Sequence, residues 1–264
     1  MNILLTNDDG IDAPALVPLA RALAELGQVS VVVPDRERSW VGKAITRFDP
    51  VSVEETSREG IVMHAVSGYP ADAVQLGIHA LGLPHPDLVV SGINLGYNHG
   101  TGFLMSSGTV GAAVEAWISG VPSVAVSTGT MGEGEWRDWR WRVTTPEERP
   151  AWERLAEVTV MLLRLIDEAG LHDHADVVSI NMPYESTFET ERRITTIARS
   201  GYDRLFTRQE DGTYRHMYGG KINHFDAVDG TDIDAAHDGA ISITPLRMPA
   251  AAVVPDEVRQ AVES

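Results

Sequence analysis

Residues 1–34 read MNILLTNDDGIDAPALVPLARALAELGQVSVVVP, and the order of patterns within them decides the fold. Asn2 to Thr6 is a short apolar run that ends in the turn-forming Asn7-Asp8-Asp9-Gly10. From Ala13 to Leu26 the apolar residues Leu16, Leu19, Ala20, Leu23 and Leu26 fall on one helical face, and Gly27 supplies the stop. Val29 to Val33 is rich in β-branched residues and closed by Pro34, the pattern of a buried strand. Strand, helix and strand joined by short links form a βαβ unit, which implies a parallel sheet.

The alternation continues outward. Ala71 to Leu81 predicts a helix and Asp87 to Val90 a buried strand running into Ser91-Gly92. Thr109 to Ser119 predicts a helix, Ser123 to Ser127 a strand, Glu153 to Ala169 a helix and Asp176 to Ile180 a strand. The predicted class is α/β, a doubly wound, mostly parallel Rossmann-like sheet. From Tyr184 onward the pattern is looser and more strand-like, up to the apolar Ala240 to Leu246. Residues 1–183 are therefore expected to form the core. Residues 184–264 are expected to form an extension, an arm of hairpin character that completes the fold and supplies an oligomer contact. Residues 130–150, TMGEGEWRDWRWRVTTPEERP, break the alternation. They predict a surface loop whose Trp136, Trp139 and Trp141 pack on its own core, with a lid or a subunit contact as the functional alternative.

Composition narrows the function. The 264 residues are 43% hydrophobic, which is enough for a substantial core. No run approaches the ~20 apolar residues of a membrane span, and the first residues show neither a basic leader nor a cleavage site. There are no cysteines, which excludes disulfides, thiolate metal sites and cysteine nucleophiles. These features predict a cytoplasmic protein with no membrane partner. The net charge is −17, so nucleic acid is repelled by the overall field. A small phosphate ester is still acceptable where a cation or backbone amides neutralise it locally.

Two stretches carry chemistry. Asp8 and Asp9 follow the first strand, and open parallel sheets bind ligands beyond those strand ends. Adjacent carboxylates repel unless a cation or proton intervenes, and hard oxygen ligands suit Mg²⁺, Mn²⁺ or Ca²⁺. An Asx-turn capping the next helix is the structural alternative. The second stretch is SGINLGYNHG (Ser91 to Gly100), followed by Ser106-Ser107-Gly108-Thr109-Val110 and a helix. Small residues and hydroxyls at a helix N-terminus make an anion site, and capping by Ser107 is compatible with that role. Asn94 and Asn98 are placed in a non-periodic loop, and His99 is expected as an exposed turn histidine. No G-x-G-x-x-G follows the first strand, the P-loop pattern fails at Glu37 and Ala44, and no G-x-S-x-G is present.

NDDG, Pro34-Asp35-Arg36 through Ser39, HAVSGYPADAVQLG (His64 to Gly77), SGINLGYNHG with SSGTVGAAVEA, SINMP (Ser179 to Pro183) and GTDIDAAHDGAISITPL (Gly230 to Leu246) occur in collinear order. As a set they resemble the SurE survival-protein nucleotidases. The resemblance implies a phosphomonoesterase acting on nucleoside 5′-monophosphates, and on 3′-nucleotides or short polyphosphate in some members. It implies one divalent cation, Mg²⁺ or Mn²⁺ with Ca²⁺ as a stand-in, held by Asp8, Asp9, Ser39 and Asn94. It implies a phosphate site of Asn98, Ser107, Gly108 and Thr109, with Asp8, Asp9 and Asn98 carrying the reaction, in a homodimer or homotetramer. The chain departs from the family pattern at Trp40, Val41 and Lys43 after Ser39, at Tyr69 in place of threonine, and at Ser106 in place of tyrosine. Two further functions fit the same motifs: a phosphatase for a modified nucleotide in one pathway, and a nucleotide-binding regulator without turnover.

Overall fold

The computed structural model describes residues 1–131, 136–218 and 221–249, with Pro255 and Arg259 beyond them. Within β1 (Asn2–Thr6), Ile3 and Leu5 enter one hydrophobic layer and Leu4 the other, and all three are buried. A strand buried on both faces belongs at the centre of a covered sheet. α1 (Leu16–Leu23) leads to β2 (Gln28–Pro34), which pairs in parallel with β1. β3 (Val53–Arg58) and β4 (Ile61–Val66) form an antiparallel hairpin, and β4 joins β2 in parallel. α2 (Pro70–His79) and β5 (Leu88–Leu95) follow, and β5 pairs with the other side of β1.

Next come α3 (Gly100–Ser106), α4 (Gly108–Ile118), β6 (Ser123–Gly129), α5 (Trp136–Arg142), α6 (Arg149–Glu168) and β7 (Val177–Pro183). Beyond them β8 (Arg192–Ile194), β9 (Ser200–Tyr202), β10 (Phe206–Arg208), β11 (Tyr214–His216) and β12 (Ile222–His224) are short, and α7 (Asp232–His237) and β13 (Ile241–Leu246) close the order. Among the described residues the main sheet has nine strands in the order β3-β4-β2-β1-β5-β6-β7-β13-β8. The pairs from β4 through to β7 are all parallel, and β13 returns antiparallel to β7. The sheet is doubly wound and mostly parallel, as the alternation predicted. Its switch point lies between β1 and β5, where the chain reverses the direction in which it adds strands.

α1 and α6 cover one face, with Leu16, Leu19, Leu23, Trp152 and Leu155 packed on Ile3 and Leu5. α2 and α4 cover the other, with Val74, Ala112 and Ala116 packed on Leu4 and Val89. Among the described residues no helix is long and apolar enough to cross a membrane. The last third contributes β13 and β8 to the main sheet and two antiparallel pairs outside it, β10 with β11 and β9 with β12.

The structure corrects the sequence reading of the secondary structure in four places. The hairpin β3–β4 was not anticipated, because Glu54, Glu55 and Arg58 mask its alternation. β5 runs on to Leu95 through a register shift between Ser91 and Asn94, so Asn94 lies on a strand and not in a loop. Residues 100–106 form a helix despite two glycines. The 130–150 segment is partly helical: Trp139 is buried edge-on against Tyr184, while Trp141 is 80% exposed. Residues 132–135 and the side chain of Trp136 lie outside the described residues.

Trp152 anchors this region, since its ring meets Tyr184 and its indole N–H donates to the Val143 carbonyl at 2.7 Å. Trp152→Ala should lower the unfolding free energy by about 3–5 kcal/mol in chemical denaturation. Trp141→Ala should change it by no more than about 0.5 kcal/mol. Equal losses for the two variants would contradict this packing.

Candidate active site

The turn after β1 is built by Asn7, whose side-chain oxygen accepts the Gly10 N–H and whose amide donates to the Gly10 carbonyl, both at 3.0 Å. Gly10 has φ +86°, and a Cβ there would lie 2.5 Å from the Arg36 backbone, so only glycine closes the turn. Asn7 therefore makes the Asx-turn, which leaves Asp8 to border the cavity at the switch point, with Asp9 next to it. Asp8 is 3% exposed and accepts the Thr109 hydroxyl at 2.6 Å. The Asp9 side chain is 5% exposed; one oxygen accepts the Leu95 N–H at 3.0 Å and the other faces Arg140 at 3.2 Å.

Electrostatics follow from this burial. Loss of water raises the Asp8 carboxyl above its ordinary value, against the pull of the Thr109 hydroxyl and amide and of Arg140. Burial and then the Asp8 charge push Asp9 up to about 7, opposed by Arg140 and the Leu95 N–H. The pair is thus short of positive charge, and the Arg140 guanidinium stands in for part of it.

Around the pair lies a cavity of about 760 Å³, lined among others by Asp8, Ser39, Asn94, Asn98, Ser107 and Arg140. The Asn94 amide donates to the Gly96 carbonyl at 2.6 Å, which leaves its oxygen free as an acceptor. The Ser39 hydroxyl donates to Glu37 at 2.6 Å and keeps its lone pairs. Among the described residues no group of three or more His, Cys, Asp or Glu has metal-binding geometry. A cation here would be held by two carboxylates completed by neutral oxygens, a donor set that fits a hard divalent ion.

The loop after β5 is pinned at two points. The Asn98 N–H donates to the Asn181 side chain at 2.7 Å and the Gly100 N–H to Asp232 at 2.7 Å. The Asn98 amide donates to Ser127 at 2.8 Å. His99 is buried, 3% exposed and stacked on Tyr97, so the expected exposed turn histidine is wrong. Burial lowers its imidazole to about 4, which keeps it neutral. Ser107 caps α4 by accepting the Val110 N–H at 3.1 Å, and it also borders the cavity. Gly108 lets the helix start against Asp8, because a Cβ there would lie 2.8 Å from the Asp8 Cβ. The Thr109 hydroxyl proton is committed to Asp8.

The structure thus gathers Asp8, Ser39, Asn94, Asn98 and Ser107 around one cavity, with Asp9, Gly108 and Thr109 next to Asp8 or the β5 backbone. Sequence reasoning missed Arg140, Glu37 and Asn181. Asn181 lies in the quoted SINMP, but nothing local separates Arg140 from the other arginines of its segment. Trp40 has φ +62° and sits among Phe103, Tyr202, His216 and Tyr218, with ring centroids 5.0–5.8 Å away. It joins the core to the β9–β11 region and borders the cavity at 36% exposure.

Residues 3–204 match the family model of survival protein SurE. The 5′-nucleotidase SurE of Syntrophotalea carbinolica is 40% identical over 252 residues, covering 94% of this chain and 92% of that protein. The 5′-nucleotidase SurE of Methanocella arvoryzae is 35% identical over 250 residues, with 93% and 91% covered. The crystal structure of the SurE protein from Aquifex aeolicus superposes with a TM-score of 0.74 at 29% identity, covering 100% of this chain and 98% of that one. Matched over nearly its whole length in sequence and in fold, the chain belongs to the SurE family.

Proposed function

We propose that this protein is a metal-dependent 5′-nucleotidase, releasing phosphate from nucleoside 5′-monophosphates. The observation that carries this reading is the desolvated Asp8–Asp9 pair, set beside the N-terminus of α4 at the switch point of the sheet. Family membership and the names of the curated relatives support the substrate class.

Asp8, Asp9, the Asn94 oxygen and the Ser39 hydroxyl would hold one divalent cation, Mg²⁺ or Mn²⁺. When bound, that ion supplies positive charge for the phosphoryl oxygens and acidifies a water near neutral pH. The chain's own residues do the rest. Ser107, the Gly108 N–H and the Asn98 amide offer donors to the equatorial oxygens, where charge spreads in the transition state. Thr109 serves as a positioning residue, because its hydroxyl fixes the Asp8 carboxylate. An ionised Asp8 or Asp9 accepts the proton released by the attacking water. The absence of cysteine is consistent with a cytoplasmic enzyme.

Asp9 generates a pH prediction. Its folded-state pKa, about 7, lies above its ordinary 3.8. The folded protein therefore binds more protons than the unfolded chain between those values, and this contribution to stability is lost as pH rises through about 7. After chelation, the melting temperature of wild type relative to Asp9→Asn should fall between pH 4 and pH 7, and Mn²⁺ should restore it in wild type alone. Asp9→Asn should lose most AMP hydrolysis. Wild-type turnover by this variant, or by the chelated protein, would remove the metal assignment.

Trp40 supports a preference for nucleotides over simple esters, since its partly exposed face borders the cavity. A stacked base is worth about 1–3 kcal/mol. AMP and GMP should exceed ribose 5-phosphate and p-nitrophenyl phosphate in kcat/KM by about tenfold or more, and Trp40→Gly should shrink that ratio. Equal efficiencies for all four substrates in wild type would exclude stacking.

Self-association through the C-terminal arm is supported by exposed Phe206, Tyr214, Met217 and Phe225 on or beside β10, β11 and β12. Light scattering at micromolar concentration should give the mass of a dimer or tetramer, and a monomer mass would contradict it.

A further inference from the structure

α5 presents neighbouring residues to different surroundings. Trp139 is buried against Tyr184 at 5.6 Å and anchors the helix, whereas Arg140 turns towards the cavity. One guanidinium nitrogen, Nη2, lies 3.2 Å from an Asp9 oxygen and 2.6 Å from Glu37 Oε1. The same Glu37 oxygen accepts the Ser39 hydroxyl. A single cationic head therefore touches one residue of the carboxylate pair directly and a second candidate ligand, Ser39, through Glu37.

A divalent ion bound at Asp9 would weaken this arrangement. Two positive groups on one carboxylate repel each other, and the low dielectric of a buried site strengthens that repulsion. The flexible arginine stem can redirect its head through rotamer changes while Trp139 keeps α5 in place. A destination is at hand, because a phosphate monoester entering the cavity brings up to two negative charges beside Asp8, Asp9 and Glu37. Among the described residues that border the cavity, only Arg140 and Lys221 carry a fixed positive charge, and Lys221 is exposed. A guanidinium matches phosphate oxygens with two parallel hydrogen bonds, which an ammonium cannot do.

We propose that Arg140 is an exchangeable counter-ion: it neutralises Asp9 in the metal-free protein, yields that carboxylate to the divalent cation, and then binds the phosphoryl oxygens of the ester. The proposal rests on the nucleotidase reading and adds to it a phosphate-binding residue outside the motifs quoted above. It also gives the segment 130–150 a role, as the carrier of that residue.

The signature is a pair of opposite effects from one substitution. Calorimetric titrations would use Mn²⁺ alone, and then inorganic phosphate added to Mn²⁺-saturated protein, for wild type, Arg140→Ala and Arg140→Lys. Arg140→Ala should bind Mn²⁺ about threefold more tightly, the scale of a partly exposed ion pair removed from competition. It should bind phosphate about tenfold or more weakly, the scale of a lost charge-assisted hydrogen bond. Arg140→Lys, which keeps the charge and the helix, should fall between the two in both titrations. A merely structural role for Arg140 would weaken both ligands together. Unchanged or weakened Mn²⁺ binding in Arg140→Ala, or unchanged phosphate binding, would overturn the proposal. A wild type that neither binds Mn²⁺ nor hydrolyses AMP would remove the nucleotidase reading with it; a wild type that does both beside an indifferent Arg140 would remove this inference alone.

Discussion

Two carboxyl groups on consecutive residues, both withdrawn from water at the end of the central strand, set the problem that the surrounding structure answers. Unpaired buried charge is expensive, so such groups either take up protons or acquire partners. Here the partners come from distant parts of the chain: the Thr109 hydroxyl on Asp8, the Leu95 N–H and Arg140 on Asp9. The sheet order makes this possible by placing β5 beside β1 and starting α4 against the same point. Gly10 and Gly108 are required because backbone or a carboxylate occupies the space that a side chain would fill.

Charge also explains how so acidic a protein can handle an acidic substrate. A net charge of −17 opposes any anion at long range. Over a few ångströms, however, salt and water screen the distant surface charges, and the local donors dominate. The cavity combines the amide of Asn98 and the hydroxyl of Ser107, at the N-cap of α4, with a guanidinium on α5. The same enclosure that raises the aspartate pKa values strengthens every hydrogen bond made to a phosphoryl group inside it.

Much of this was legible in the sequence where the signal is local. The run from Asn2 to Thr6, the NDDG turn and the helix at 16–23 are contiguous, so their periodicity gave β1, α1 and the place of Asp8 and Asp9. The start of α4 was equally plain from Ser107-Gly108-Thr109. What was hidden depends on long-range contacts. Asp9 and Arg140 are 131 residues apart, and no periodicity marks one arginine among several. His99 follows an asparagine in a glycine-rich stretch, which reads as an exposed turn; tertiary packing on Tyr97 and Phe103 buries it. Asn94 seemed to lie in a loop because Gly92 and Gly96 interrupt the apolar pattern, yet the strand resumes after a register shift. Thr109 was grouped with the phosphate donors from its motif, whereas its hydroxyl proton points to Asp8.

The carboxylate pair is proposed as a cation site completed by neutral oxygens. The most direct measurement is anomalous X-ray diffraction from crystals soaked in Mn²⁺, which locates the ion without reference to turnover. The expected result is one strong peak within coordination distance of both Asp8 and Asp9, with the Asn94 oxygen and the Ser39 hydroxyl on its remaining sides. A peak elsewhere in the cavity, or none next to Asp8 and Asp9 at saturating Mn²⁺, would contradict the account.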